Sequence, residues 1–127
     1  MDHVGIVIIS HSEKVALGIQ EIIHEVLPDF PLGIAGGSDD KGIGTSVEKI
    51  MMAIDYVDCR QGTLLFYDLG SAKMNAELVI DMKETEQIKI VEAPLLEGAY
   101  VGTIESNMGK SMDEIIRSLN KSFPSPL

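Results

Sequence analysis

Val4 to Ile9 form an apolar run, and a helical period takes over within three positions of its end. The run Val4-Gly5-Ile6-Val7-Ile8-Ile9 is rich in β-branched side chains and does not alternate. That pattern suits a strand buried on both faces of a parallel sheet. Val15, Ile19, Ile22, Ile23 and Val26 then recur at the spacing of an amphipathic helix. A buried strand that feeds straight into a helix is the opening of a βαβ unit, so an α/β fold is expected. His11 falls at the junction, beyond the carboxyl end of the strand and at the amino end of the helix. Unpaired backbone N–H groups and the positive end of the helix dipole meet there, an arrangement suited to an anion such as phosphate.

The rest of the chain repeats the alternation. The first helix is predicted over Glu13 to Leu27, with Ser12 as N-cap and Pro28 and Pro31 beyond its end. Leu32 to Ala35 reads as strand two, followed by a loop with glycines at 36, 37, 42 and 44. Thr45 and Glu48 form a T-x-x-E capping box that opens helix two, with Val47, Ile50, Met51 and Ile54 on its apolar face. Thr63 to Tyr67 is strand three, and it ends at Asp68-Leu69-Gly70-Ser71. Helix three is predicted from Ala72 to Lys83, burying Met74, Leu78 and Met82. Ile88 to Val91 is strand four. Two helices follow, Leu96 to Glu105 and Met112 to Leu119, the second opened by a Ser111/Glu114 capping box. The Ser-Pro tail, Pro124 to Leu127, is expected to fray. No linker or repeat interrupts residues 1–127, so a single domain is expected. Right-handed βαβ units imply an open parallel sheet with helices on both faces. Ligands in such sheets gather beyond the carboxyl ends of the strands, where strand order reverses. In the order 2-1-3-4, strands one and three are neighbours and His11 faces Asp68.

Charge removes several classes of function. A formal net charge of −10 disfavours nucleic acid and anionic membrane surfaces, which need basic patches. No apolar run approaches the roughly 20 residues of a membrane-spanning helix, and the amino end carries no signal-peptide pattern. The lone Cys59 cannot form an internal disulfide, which suits a reducing cytoplasm.

His11 is the strongest candidate for chemistry. A neutral imidazole accepts a phosphoryl group on one ring nitrogen while an acceptor holds the N–H of the other. Asp68 is the natural holder, fixing the tautomer as the third member of a triad does; on position alone it serves equally well as a cap for helix three. Ser10, Ser12, Gly70 and Ser71 are small or hydroxylated neighbours suited to a phosphoryl group, although both serines of the first junction also fit as caps. The glycine-rich loop lacks the lysine and Ser/Thr of a phosphate-binding P-loop. Asp39 and Asp40 fit a solvated loop better than a metal site, and His3 and His24 lack zinc spacing to Cys59. No metal site is expected. Arg60 and Arg117 both lie away from the strand ends, so no arginine clamp for a nucleotide is expected. The methionines, mostly at apolar helical positions, read as core.

Four phrases in order, I-S-H-S at 9–12, G-I-G-T at 42–45, Y-D-L-G-S-A at 67–72 and A-P-L-L-E-G-A at 93–99, carry a resemblance from Val4 to about Leu119. The chain resembles the phosphocarrier subunits (DhaM) of phosphoenolpyruvate-dependent dihydroxyacetone kinases, themselves similar to mannose-class IIA domains of the sugar phosphotransferase system. The resemblance implies a doubly wound sheet of order 2-1-3-4, a homodimer, a phosphorylated histidine at His11 and a partnering carboxylate at Asp68. It implies a phosphoryl group arriving from the carrier HPr and leaving to ADP in a nucleotide-binding subunit. ADP or ATP and magnesium then belong to that subunit, and this chain carries no cofactor. Some relatives continue into HPr-like domains; a chain ending at Leu127 is expected to use the general cytoplasmic HPr. The last helix shows no sign of the strand that mannose-class relatives exchange between subunits.

Other readings remain at this stage. One is a mannose-class IIA domain that feeds a sugar-specific IIB domain. A second is a receiver phosphorylated on Asp68, although strand one ends in Ser10-His11 where a receiver places acidic residues. A third is an interaction domain with an inert histidine. A relay calls for transient docking, so a small apolar surface is expected near His11, with Leu69, Leu95 and Leu96 as candidates; core packing suits the same leucines.

Overall fold

The computed structural model describes residues 3–57 and 60–124. Cys59 and the last three residues of the tail lie outside that range. Four strands, β1 (Gly5–Ser10), β2 (Leu32–Gly36), β3 (Thr63–Tyr67) and β4 (Ile88–Ile90), form one sheet in the order β2-β1-β3-β4. All pairings are parallel. Five helices complete the described chain: α1 (Glu13–Val26), α2 (Val47–Tyr56), α3 (Gly70–Lys83), α4 (Leu95–Asn107) and α5 (Met112–Ser122). This is the doubly wound α/β sheet expected from the alternating pattern.

β1 is buried at every residue, which explains its unbroken apolar run. Its side chains still alternate in direction. Ile6 and Ile8 join Leu64 and Phe66 in a core shared with α1, α4 and α5. Val7 and Ile9 join Leu65 in a second core shared with α2 and α3. Gly102 lets α4 press onto that first core: a Cβ there would stand 2.8 Å from Phe66 Cζ.

Three local expectations fail for physical reasons. Helix two is capped by Ser46, whose hydroxyl accepts from the Lys49 amide. Thr45 accepts from Asn75 Nδ2 of α3 instead, so a tertiary bond overrides the T-x-x-E box. Helix three starts two residues early, at Gly70, and it buries Ala72, Ala76 and Val79 rather than Met74, Leu78 and Met82. Small residues bring α3 close to the sheet and leave the large ones outside. The methionines as a class follow suit: Met52, Met74, Met82 and Met108 are exposed, and Met112 is buried. Leu95 and Leu96 pack against the first core, the bland alternative for that pair, whereas Leu69 is exposed.

Ser12 caps α1 as expected, accepting from the Val15 amide, and Ser111 and Glu114 form the full capping box of α5. No helix among the described residues is long and apolar enough to cross a membrane.

Candidate functional site

The register of β1 against β3 builds the site. Ile9 pairs with Tyr67, so Ser10, the last residue of β1, and His11 after it stand beside Asp68. Asp68 then receives four hydrogen bonds, two on each oxygen. Oδ1 accepts from His11 Nδ1 at 2.9 Å and from the Leu69 amide at 2.8 Å. Oδ2 accepts from the Ser10 hydroxyl at 2.8 Å and from the His11 amide at 3.0 Å. Partial burial pushes the Asp68 carboxyl toward the protonated form, but its bonds from the His11 ring, Ser10 and the two amides outweigh that and hold it below the usual carboxylate range.

An ionised carboxylate only accepts, so Nδ1 of His11 carries the ring proton. In the neutral ring Nε2 is then the free lone pair. The hydroxyl of Ser71 donates to it at 2.6 Å. The imidazole is largely covered, with 16% of the side chain accessible, and it is oriented through both nitrogens.

The anion position differs from the sequence expectation. The amino end of α1 is closed by its own cap, Ser12. The amino end of α3 is open: Leu69 offers no side-chain cap. The Gly70 and Ser71 amides have no acceptor among the described residues. A Cβ at Gly70 would meet nothing within 4 Å. Gly70 and Ser71 thus leave a pair of open donors at the helix end whose Ser71 hydroxyl touches Nε2. Ser12 serves as a cap, and Ser10 is fully buried with its hydroxyl shared between Asp68 and the Ser12 amide. Ser10 therefore stands behind the carboxylate rather than in front of the imidazole.

The glycine loop has a role that composition did not reveal. The Gly37 amide donates to the Ser10 carbonyl at 3.0 Å, and the Gly44 amide to the His11 carbonyl at 2.9 Å. Both glycines have positive φ, 78° and 143°, a conformation that favours glycine. The loop braces the backbone on either side of the imidazole. Within it, Asp39 accepts from Ser46 and Asp40 from Ser38 and the Gly42 amide. Beyond Asp68, Tyr67 donates to Glu92, and Glu92 pairs with Lys73 of α3 at 2.5 Å. Tyr67, Asp68 and Glu92 border a cavity of about 440 Å³ that reaches Phe123 and Pro124. Sequence reasoning missed this network because its members lie far apart in the chain.

Both oxygens of Asp68 are engaged, which weakens the alternative in which this aspartate is itself phosphorylated. What remains is an imidazole held through Nδ1 whose neutral form presents its Nε2 lone pair beside the open amino end of α3, the arrangement of a nitrogen nucleophile for phosphorus.

Residues 5–116 match the family described as EIIA-man, PTS system fructose IIA component. Among curated proteins, the chain is 44% identical over 115 residues to the "PEP-dependent dihydroxyacetone kinase 1, phosphoryl donor subunit DhaM" of Listeria innocua, covering 91% of each. It is 39% identical over 117 residues to the "PTS-dependent dihydroxyacetone kinase, phosphotransferase subunit DhaM" of Lactococcus lactis, covering 92% of this chain and 94% of that one. Among solved structures, it resembles a protein of unknown function, EF1359, with TM-score 0.82, 27% identity and coverage of 99% of this chain and 98% of that one. The fold, the length of the matches and their identity agree: the chain belongs to the mannose-class IIA family of the phosphotransferase system, among the DhaM phosphoryl donor subunits of dihydroxyacetone kinases.

Proposed function

We propose that this chain is a phosphohistidine carrier, working in the cytoplasm as a homodimer, that takes a phosphoryl group from phosphorylated HPr and delivers it to ADP in the nucleotide-binding subunit of a dihydroxyacetone kinase. The Nε2 lone pair of His11 attacks phosphorus, an N–P bond forms, and the N–P bond of the donor histidine breaks with its electron pair returning to that ring. In the second step a terminal oxygen of ADP attacks phosphorus, an O–P bond forms to give ATP, and His11 recovers its lone pair. The Nδ1 proton stays on the ring throughout, held by Asp68. Ser71 and the amides of Gly70 and Ser71 receive the phosphoryl oxygens. Ser10 acts by positioning Asp68. ADP, ATP and magnesium belong to the partner subunit, and no cofactor is assigned to this chain.

One observation carries the reading: Nδ1 of His11 lies 2.9 Å from a carboxylate while Nε2 faces an exposed helix amino end. Incubation with phosphoenolpyruvate, enzyme I and HPr should place acid-labile, alkali-stable phosphate on the wild type and none on His11→Ala. Label that persists in His11→Ala rules the assignment out. The identities to two DhaM subunits favour ADP over a sugar-specific IIB domain as acceptor. Chasing the label into an ADP-loaded kinase subunit, or into a IIB domain, decides between them.

A further inference from the structure

α3 exposes the wrong residues for a helix that only packs. Met74, Leu78 and Met82 are 69%, 48% and 54% exposed, although Ala72, Ala76 and Val79 of the same helix are buried. Apolar groups this large gain by burial in a monomer, so a row of three left outside needs a reason. Their spacing supplies one. Ser71, Met74, Leu78 and Met82 follow one another at three, four and four residues, which places them in one stripe along the helix. The stripe starts at the hydroxyl that touches His11 Nε2 and runs about 16 Å from there.

The charges beside it have one free sign. Lys73 pairs with Glu92 and Lys83 with Asp55, each at 2.5 Å. Glu77 and Asp81, exposed on the same helix, have no ion-pair partner among the described residues. An apolar line with acidic rims fits a partner that offers apolar side chains flanked by lysine or arginine. A second copy of this chain fits poorly, because it would bring acidic rims of two chains of charge −10 together and cover the imidazole. Three side chains also fall short of the roughly 800 Å² per partner of a stable interface, but they suit a transient encounter. Methionine adapts to differently shaped partners.

We infer that the Ser71–Met82 stripe of α3 is the docking surface on which a basic, phosphorylated carrier protein seats itself to present phosphorus to His11. This rests on the carrier reading above and assigns that site its recognition face. Phosphorylated HPr is the probe, with initial rates of His11 labelling measured against its concentration. Met74→Asp/Leu78→Asp should raise KM at least tenfold and change kcat less than threefold. Glu77→Lys/Asp81→Lys should do the same and flatten the rise of KM with added salt. Met108→Asp, at an exposed apolar position just past the end of α4, should leave both constants unchanged. All these positions are exposed, and circular dichroism checks that each variant is folded. Unchanged KM in both double variants, with normal labelling of the wild type, overturns the surface while leaving the carrier reading intact. A wild-type dimer that dissociates in Met74→Asp/Leu78→Asp also overturns it, since a second copy then covers the stripe. A wild type that takes no label sinks the carrier reading and this surface with it.

Discussion

His11 has one nitrogen facing a carboxylate and one facing a hydroxyl, and in the proposed carrier that difference sets which of them reacts. Asp68→Ala leaves the ring free to turn and to change tautomer. Its phosphotransfer rate should fall about 10²-fold or more, as read by single-turnover labelling. Asp68 also carries a pH signature. Its carboxyl is held below the usual range in the folded state, so its contribution to stability is present above the unfolded pKa of about 3.9 and lost as pH falls through the lower, folded value. The difference in urea midpoint between wild type and Asp68→Asn should stay constant from about pH 7 to 5 and shrink below about pH 4. A difference that shrinks between pH 7 and 6 contradicts this assignment. Ser10→Ala removes a buried hydrogen bond to a charged group and should cost about 1.5–3 kcal/mol in urea unfolding. His11, Asp68, Gly70 and Ser71 were legible in the sequence because their residue types stand at strand ends, where α/β sheets place chemistry. The role of Ser10 was not, because whether the last strand hydroxyl points behind or ahead of the imidazole depends on the pleat and on a neighbour 58 residues away.

Helices and strands obeyed their patterns where the local signal was the strongest force on them. The Ser12 and Ser111 caps and all four strands appear where periodicity and cap chemistry put them. α2 and α3 depart because contacts with the sheet and with each other outweigh local preference: Asn75 holds Thr45, and alanines give α3 its close approach. Two glycines separate packing from conformational freedom. Gly102→Ala drives a methyl group to 2.8 Å from Phe66 Cζ and should lower stability by about 1–3 kcal/mol. Gly18→Ala, inside α1 with nothing within 4 Å of the new carbon, should raise it by about 0.4–1 kcal/mol. Chemical denaturation of both variants checks the pair, and equal effects would show that the α4 contact is not tight.

On the scale of the whole molecule, strand order brings residues 10, 11, 68 and 71 together. Helix and strand periods announce an open parallel sheet, but only the resemblance specified 2-1-3-4, since nothing local says on which edge a crossover lands. β1 is central and wholly buried, so its amides should exchange with deuterium slowest, together with those of β3, while residues 38–44 exchange early. Mass-spectrometric exchange would show this, and fast exchange in β1 would contradict the sheet order. The proposed docking stripe was illegible because hydrophobicity alone cannot tell a side chain kept for the interior from one left exposed.

The Ser71 hydroxyl adjoins Nε2 of His11, the one atom whose bonding changes in the proposed cycle. Loading that atom takes away the lone pair the hydroxyl donates to and offers charged oxygens in its place. Nuclear resonances of Ser71 therefore work as an internal gauge of occupancy, readable on intact protein without a radiolabel.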